Sequence, residues 1–386
     1  MSSTTKEDNF KIIFALSLVH FIGDFYNAFV IPLLPIFITN YSLTLAQAGL
    51  IAGFSRFLAF VVQPPIGYLS DRYSTRFFVL GGPVLVIVFI SLSGISPTYW
   101  LLLVFVSIGS IGSSMFHPAV AGMVGTYSRR HFGFNMSIFN MGGTLAFAAG
   151  PLFIAAVVEN FGLKATPWTM LLGLAVMLYL YLAVPVPAVE SFENKGMLGS
   201  IKEIFGPVWK PVTLVWMIMV IRAFVSQSFL TYMPVLYSNE GYSLVSIGTM
   251  VSFFTAAGAV SGLIAGHLSD RIGFKPVLMA AHLLTTPSMY LLLMFSGPWI
   301  YTGAFLTGFF VLATIPLGVA LVQKMAPRGK SMASSLMTGL AYGLGGLLTP
   351  LTGMLSDRFS IHTVLSFLAL VPLLTVGMIY FLPKEK

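Results

Sequence analysis

The chain consists of long apolar segments separated by short polar breaks, from near its N-terminus to its end. The hydrocarbon core of a bilayer is about 30 Å thick, and a helix needs about 20 apolar residues to cross it. The apolar segments therefore predict transmembrane helices. We predict twelve of them, at residues 10–39, 44–69, 77–96, 99–124, 132–158, 166–186, 211–237, 243–268, 275–295, 299–322, 332–356 and 361–382.

A short string recurs at matching places along this pattern. The string GYLSDR that begins at Gly67 returns as GHLSDR at Gly266 and as GMLSDR at Gly353, and a weaker copy, AAVVE, ends at Glu159. The acid recurs after 88 or 87 residues within each half of the chain, and after 199 or 198 residues between the halves. One unit of about three spans thus occurs four times, which is typical of a transporter built from two similar halves.

The loops are short except for one polar segment in the middle of the chain. We predict an all-α membrane protein of two pseudo-symmetric six-helix bundles, residues 1–186 and 211–386, joined by a cytoplasmic linker at 187–210. The polar first ten residues lack the pattern of a cleavable signal, so we expect the first span to remain as a helix of the protein.

Composition and charge exclude several classes of protein. With 57% hydrophobic and 8% charged residues the chain is not a soluble domain, and the absence of cysteine excludes disulfides and thiolate metal sites. The net charge is +8, and its basic residues are distributed unevenly: 16 of the 20 Lys and Arg residues lie on one side of the predicted spans. The positive-inside rule then predicts cytoplasmic termini and an inner-membrane location, with lipid and not nucleic acid as the surrounding partner.

Asp24 is an acid near the middle of the first span. An ionised carboxylate there costs about 2.5–3.5 kcal/mol on insertion scales, so intramembrane acids usually face a cavity and carry a function. His20 and Asn27 lie one helical turn away on the same face. An imidazole titrates near neutral pH, so the pair Asp24 and His20 suits proton transfer. The alternative is a static polar pair that fixes the first span to its neighbour.

Two arginines lie within spans. Arg56 is near the middle of the second span, with Gln63 on the same face, and Arg222 is near the middle of the seventh, with Ser226 one turn on. Subtracting the repeat of 199 residues places Arg222 at the depth of Asp24 in the other half. A guanidinium stays protonated, so these groups predict a cavity that binds an anionic or zwitterionic substrate. The alternative is a static ion pair that offsets burial.

Two further polar stripes lie in the fourth and fifth spans. Ser110, Ser113 and His117 recur at helical spacing, and this favours His117 as a second proton or substrate contact. Asn140 lies on a similar stripe in the fifth span, and we predict that it contacts substrate. No set of side chains has the spacing of a metal site or the pattern of a nucleophilic enzyme, so we predict no metal, no cofactor and no catalysis.

Several strings resemble a known family. The string from Gly67 to Arg76 resembles the loop signature of the major facilitator superfamily, although Ser74 and Thr75 stand where that pattern usually has glycine and a basic residue. Within the superfamily, HFIGD from His20, QPPIGY from Gln63 and SSMFHP, which contains His117, resemble the fosmidomycin-resistance type of drug exporter. The resemblance implies a twelve-helix fold and export of a drug by alternating access.

The same resemblance implies that the recurring loop is a conformational latch. A carboxylate at a helix end can pair with a neighbouring helix end and hold one conformation, and the glycines of the string favour close helix approach. We expect Asp357 only to end its helix. The predicted latch consists of Gly67, Asp71, Arg72, Arg76, Gly266, Asp270 and Arg271.

Together these features predict a monomeric, proton-coupled exporter of a small anionic or zwitterionic organic compound. Asp24, assisted by His20 or His117, is the predicted proton carrier, and Arg56 and Arg222 set the charge of the cavity. One alternative keeps the fold and reverses the direction, as proton-coupled uptake of a carboxylate or a phosphorylated nutrient. An alternative of another class is a membrane sensor or a lipid-modifying enzyme.

Overall fold

The computed structural model describes residues 8–72, 76–128, 132–186, 206–326 and 335–383. These residues are almost entirely helical, and none of them forms a strand. Helices are expected in a bilayer, because an α-helix satisfies all its backbone hydrogen bonds within one segment. The prediction of an all-α protein is confirmed.

The chain divides into two compact units. The first comprises residues 1–30 and 62–191. It holds α1 (Phe10–Asn27), α4 (Gln63–Arg72), α5 (Gly82–Leu92), α6 (Tyr99–Tyr127), α7 (Phe132–Phe161) and α8 (Thr169–Ala183), with a π-helical turn at Phe77–Gly81 and 3₁₀ turns at Ser93–Ile95 and Leu163–Trp168.

The second unit comprises residues 31–61 and 192–386. It begins with α2 (Val30–Tyr41) and α3 (Leu45–Val61) and continues, after a 3₁₀ turn at Gly206–Val208, through a long series of helices. These are α9 (Trp209–Asn239), α10 (Leu244–Ile272), α11 (Phe274–Met294), α12 (Trp299–Met325), a π-helical turn at Ser335–Leu340, α13 (Ala341–Leu347), α14 (Thr349–Arg358), α15 (Ile361–Leu368) and α16 (Val371–Tyr380).

Eleven of the twelve predicted spans are helices long and apolar enough to cross a membrane, within the ranges that the structure describes. The exception is the predicted span 332–356. Its first residues lie outside the described ranges, and the rest is divided between the turn at Ser335–Leu340, α13 and α14. The helix is interrupted at Leu348, two residues before Pro350, whose ring cannot continue a helical hydrogen-bond ladder.

In the first unit, α1 packs against α5, α6 and α7 and is buried along most of its length. Tyr26 and Leu16 are completely buried, and the Tyr26 hydroxyl donates a hydrogen bond to the Thr169 carbonyl of α8. A helix that is apolar around its whole circumference is expected at the centre of a bundle. The polar residues Ser17, His20, Asp24 and Asn27 of α1 are therefore buried among protein side chains.

In the second unit, α3 packs closely on α13 and α14. The Tyr232 hydroxyl of α9 lies between α3 and α14, 3.1 Å from the carbonyl oxygens of Leu45 and Thr349. A Cβ atom on either Gly49 or Gly353 would collide with this hydroxyl, so both positions require glycine. This packing fixes the N-terminal half of α3 against α9 and α14.

Candidate functional site

The first unit contains a buried cluster of three titratable side chains on α1 and α6. The Asp24 carboxylate is 4% exposed, and its Oδ2 lies 3.1 Å from Nε2 of His20. Its other oxygen, Oδ1, lies 3.4 Å from Nε2 of His117. The two imidazole rings are 5.0 Å apart and nearly perpendicular. Each carboxylate oxygen therefore faces one imidazole.

The helices position these groups in simple ways. His20 and Asp24 are separated by one helical turn, so they meet on one face of α1. The His20 ring stacks on Phe139 of α7 at 4.1 Å between centroids, and the His117 ring stacks on Phe116 at 4.2 Å. These stacking contacts fix both rings in orientations that point Nε2 at the carboxylate.

Gly143 of α7 makes room for the cluster. A Cβ atom at this position would lie 2.5 Å from Nε2 of His20 and 3.0 Å from Oδ2 of Asp24. Any larger residue would displace the pair. Gly143 is thus a part of the site that sequence reasoning missed, although its place in the polar stripe of the fifth span, beside Thr144, was visible.

The hydrogen bonds on the far side of each ring determine the histidine tautomers. Nδ1 of His20 donates to the Phe139 carbonyl at 2.8 Å, and Nδ1 of His117 donates to the Ser113 carbonyl at 2.7 Å. A carbonyl oxygen only accepts, so each Nδ1 carries a hydrogen. In each histidine, Nε2 is therefore the nitrogen that gains or loses a proton, and in both it faces Asp24.

The number of protons in this cluster determines its contacts. Each contact between Nε2 and a carboxylate oxygen is attractive only when the two atoms share a proton. Two shared protons satisfy both contacts and leave the cluster with a net charge of +1. Removing one proton leaves a nitrogen lone pair opposite a carboxylate oxygen, which is repulsive. Loading and unloading one proton thus changes the geometry that the cluster favours.

The three groups differ in accessibility. The side chain of His117 is 26% exposed, against 9% for His20 and 4% for Asp24. His117 is therefore the most solvent-accessible member of the cluster. Ligand atoms of the three residues lie within 4.8 Å of one another, a donor set that also has the composition of a divalent-cation site.

The second unit contains a buried charge of the opposite sign. Arg222 of α9 is 3% exposed, and its guanidinium lies over the ring of Tyr342 of α13, with 4.6 Å between Cζ and the ring centroid. All three guanidinium nitrogens are buried without a hydrogen-bond partner among the described residues. The predicted position of Arg222 near the middle of its span is consistent with this burial.

Arg56 lies in α3 and is half-buried. Its Cβ packs against α13, where a Cβ atom added to Gly346 would lie 2.9 Å away. Arg56 and Arg222 both belong to the second unit. The ring of Tyr342, on which Arg222 stacks, also contacts α3, because its centroid lies 5.4 Å from that of Phe60. The two arginines thus pack on α13.

The four polar residues predicted to contact substrate lie in different surroundings. Asn27 is buried at the end of α1, and Gln63 is half-buried at the start of α4. Asn140 is exposed on α7. Ser226 is buried one turn after Arg222, where its hydroxyl donates to the Ala223 carbonyl of its own helix. Their role in binding stays a prediction.

The predicted latch residues lie at helix ends. Gly67, Asp71 and Arg72 are in α4, and their side chains lie outside the described part of the chain. Arg76 places its guanidinium 5.1 Å from the ring centre of Tyr181. The latch residues of α10 lie at its C-terminal end, and a Cβ atom added to the glycine would meet no described atom within 4 Å; they are Gly266, Asp270 and Arg271. Their role as a latch stays a prediction.

Asp357 has a role that its sequence position did not reveal. Besides lying in the last turn of α14, its carboxylate accepts hydrogen bonds from the backbone N–H groups of Leu45 at 2.8 Å and Ala46 at 3.1 Å. Thr44 and Gln47 complete this helix start with reciprocal bonds between side chain and backbone. The expectation that Asp357 only ends its own helix is therefore too narrow, because it also caps α3.

Comparisons with known proteins agree with this architecture. The family model of the Major Facilitator Superfamily matches residues 16–348 and, a second time, residues 239–386. The chain is 27% identical to the fosmidomycin resistance protein of Escherichia coli (strain K12), over 100% of this chain and 96% of that protein. It is 24% identical to the multi-drug resistance efflux pump PmrA of Streptococcus pneumoniae, over 94% and 93% of the two chains.

Solved structures share the fold at low sequence identity. A bacterial homologue of the human lysosomal transporter Spinster, in an inward-facing and occupied conformation, aligns with a TM-score of 0.81 at 16% identity, covering 96% of both chains. The nucleoside transporter NupG aligns with a TM-score of 0.82 at 13% identity, covering 97% of this chain and 100% of that one. The apolar helices, the family match along the chain and these structures lead to one conclusion: this protein is a multi-pass membrane transporter, not an enzyme, and it belongs to the Major Facilitator Superfamily.

Proposed function

We propose that the protein exports a small, anionic or zwitterionic organic compound in exchange for protons. The cluster of Asp24, His20 and His117 is the single observation that supports proton coupling best. Its carboxylate is buried between two imidazoles, and both nitrogens facing it are the titrating ones. The named relatives include a fosmidomycin resistance protein and a multi-drug efflux pump, which supports export as the direction.

The proton reaches Asp24 through His117, the most exposed member of the cluster. With two protons the cluster is positively charged and both contacts are attractive. Release of one proton makes one contact repulsive, and a change of helix packing around α1 and α6 relieves the repulsion. We propose that this change couples proton transfer to alternating access, with the predicted halves 1–186 and 211–386 as the moving parts.

The substrate cavity in this proposal is charged by Arg56 and Arg222, with Asn27, Gln63, Asn140 and Ser226 as polar contacts. Gly67, Asp71, Arg72 and Arg76, with Gly266, Asp270 and Arg271, act as the latch of one conformation. We further propose that the protein works as a monomer in the cytoplasmic membrane with both termini in the cytoplasm, because 16 of its 20 Lys and Arg residues lie on the predicted inner side.

Transport in reconstituted vesicles tests the proposal, with labelled fosmidomycin as the probe. Vesicles that are acidic inside should accumulate the probe, since protons leave as substrate enters. Accumulation driven instead by an acidic exterior would indicate proton-coupled uptake, and binding without flux would indicate a sensor. Chelating divalent cations should leave the flux unchanged.

The variant Asp24→Asn gives the decisive comparison. It keeps the size of the side chain but removes the titrating carboxylate, so gradient-driven accumulation should fall to the leak of empty vesicles. Glu240→Gln is a matched control, because Glu240 is an exposed acid at the end of α9. Gradient-driven flux that persists in Asp24→Asn at the level of the control would overturn the proposed carrier.

A further inference from the structure

We propose that His20, Asp24 and His117 also form a binding site for a divalent first-row transition ion, and that Zn²⁺ bound there inhibits transport. The ion is an inhibitor in this proposal and not a cofactor. Binding stands on the geometry of the three side chains, whereas inhibition rests on the proposed function, because it requires that the same side chains carry the coupling proton. The sequence predicted no metal site, since His117 joins the other two residues only through the packing of α6 on α1.

The first argument is the set of donor atoms. One ligand atom from each of the three residues lies within 4.8 Å of the other two. Imidazole nitrogens suit zinc and its transition-metal neighbours, whereas Mg²⁺ and Ca²⁺ prefer ligand sets made of oxygen. Two imidazoles and one carboxylate are also the ligands of zinc sites that keep a fourth position open. The donor set therefore selects zinc over the hard cations.

The second argument is the spacing of these atoms. Zinc bonds to nitrogen and carboxylate oxygen are about 2.0–2.2 Å long, so two ligands of a tetrahedral ion lie about 3.3–3.6 Å apart. The carboxylate oxygens of Asp24 lie 3.1 Å from Nε2 of His20 and 3.4 Å from Nε2 of His117. Both distances are close to the edge of a zinc tetrahedron, so a small rotation of the side chains brings the three donors to one ion.

The third argument is the way in which the two rings are held. A histidine that binds a metal through one nitrogen normally donates its other N–H to a carbonyl or a carboxylate, which fixes the tautomer and the direction of the ring. His20 donates from Nδ1 to the Phe139 carbonyl at 2.8 Å, and His117 donates from Nδ1 to the Ser113 carbonyl at 2.7 Å. Both Nε2 atoms therefore remain as the metal-binding nitrogens, and both face Asp24.

The fourth argument is the net charge of the occupied site. Zn²⁺ bound by two neutral imidazoles and one carboxylate gives the cluster a net charge of +1. Two shared protons give the same cluster the same charge. The ion therefore adds no buried charge beyond that of the proton-loaded cluster, so its burial carries no extra electrostatic cost. A cluster that holds zinc in place of protons cannot exchange them, and coupled transport should stop.

His117 supplies the route by which the ion enters. Its side chain is 26% exposed, whereas His20 is 9% and Asp24 4% exposed. An ion that comes from water therefore meets Nε2 of His117 first and then the buried carboxylate. The fourth ligand position of the ion can retain a water molecule, as in other zinc sites with three protein ligands.

Calorimetric titration of Zn²⁺ into the purified full-length protein, prepared without a polyhistidine tag, tests the site. Wild type should bind one Zn²⁺ saturably, and an equal concentration of Mg²⁺ should not compete. His20→Gln, Asp24→Asn and His117→Gln should each weaken binding at least tenfold, since even groups that only orient a metal ligand contribute ten- to about a hundredfold. His362→Gln is the matched control, because His362 is an exposed histidine of the second unit.

Co²⁺ gives a second readout that a purely structural role would not change. Its visible absorption is strong in a four-coordinate site and weak in the hydrated ion. Wild type should develop this absorption with Co²⁺ and lose it when Zn²⁺ is added, and His117→Gln should not develop it. Thermal unfolding shows whether the variants fold, and Zn²⁺ should raise the Tm of wild type but not that of His117→Gln. Absence of saturable zinc binding to wild type, or equal affinity in the three variants and the control, would overturn the site.

Inhibition is measured in the vesicle assay, with Zn²⁺ on both sides of the membrane and far below the probe concentration, so that chelation of the probe cannot lower its flux. Gradient-driven accumulation should fall as zinc occupies the site and return when a chelator is added. If zinc does not bind while Asp24→Asn loses its flux, the proposed function stands and the metal site is wrong. If zinc binds at the cluster while flux continues at full occupancy, the metal site stands and the proton carrier is wrong.

Discussion

The two buried charges of this transporter differ in what surrounds them. Asp24 in the first unit has an imidazole nitrogen at 3.1 Å and another at 3.4 Å. Arg222 in the second unit has an aromatic ring, and its nitrogens have no hydrogen-bond partner in the described part of the chain. The carboxylate thus lies beside two imidazoles, whereas the guanidinium has no polar partner among the described residues.

This difference matches the two tasks that we propose for the transporter, proton coupling and substrate binding. A carboxylate whose partners can gain or lose protons can change its charge state within the bundle. A guanidinium keeps its charge at any physiological pH, so its charge can be offset only when a ligand arrives. We therefore propose the cluster of Asp24, His20 and His117 for the coupling ion and Arg222 for the transported compound.

Of the variants that test this comparison, the one that removes both imidazoles should change stability the most. The double variant His20→Gln and His117→Gln leaves Asp24 buried without a cationic partner, so we expect a loss of about 3 kcal/mol in the free energy of unfolding at neutral pH. The loss should shrink as pH falls, because protonation neutralises the carboxyl group.

Adding Asp24→Asn to the double variant is the control. The triple variant should regain most of the thermal stability and none of the gradient-driven flux. A double variant as stable as wild type at neutral pH would show that the imidazoles do not neutralise Asp24.

Gly143→Ala should have the next largest effect. It should reduce proton-driven flux more than it reduces the free energy of unfolding. The added methyl group would lie against Nε2 of His20 and Oδ2 of Asp24 and force them apart. A displacement of about 1 Å at a reacting centre can cost a hundredfold in rate, so we expect at least a tenfold loss of proton-driven flux. Gly122→Ala is the matched control, because a Cβ atom at Gly122 on α6 would meet no described atom within 4 Å. Equal flux in the two variants would contradict the assigned geometry.

Asp357→Ala should have the smallest effect. Here an acid is partnered by backbone N–H groups of α3, which do not titrate, so the variant should lose about 1 kcal/mol, the usual value of a helix cap. Thermal unfolding measures the loss, with the exposed acid Glu240 changed to Ala for comparison. A loss no larger than that of Glu240→Ala would show that the cap contributes nothing to stability.

Much of the fold was predictable from sequence, because membrane spans are encoded by local composition. The apolar segments predicted eleven spans that the structure describes as helical segments long enough to cross a membrane, although some of them are divided between two helices. The remaining span is interrupted at Leu348, before Pro350, and Gly345 and Gly346 also precede it. The capping pair Thr44 and Gln47 was not predicted, although its spacing is that of a capping box.

The site was predictable only where its residues are close in sequence. His20 and Asp24 are one turn apart, so their contact followed from helical geometry. His117 was predicted from the polar stripe of the fourth span, but its contact with Asp24 depends on how α6 packs against α1. The contacts of Gly143 and Asp357 are likewise tertiary; Asp357 lies more than 300 residues from the helix start it caps.

The central claim is that the cluster around Asp24 exchanges a proton when substrate binds. Proton release can be measured directly by adding fosmidomycin to purified protein in weakly buffered solution with a pH-sensitive dye. The account predicts release of about one proton per wild-type molecule, since the cluster passes from two shared protons to one, and no release from Asp24→Asn. Binding without proton release in wild type, or equal release from Asp24→Asn, would contradict it.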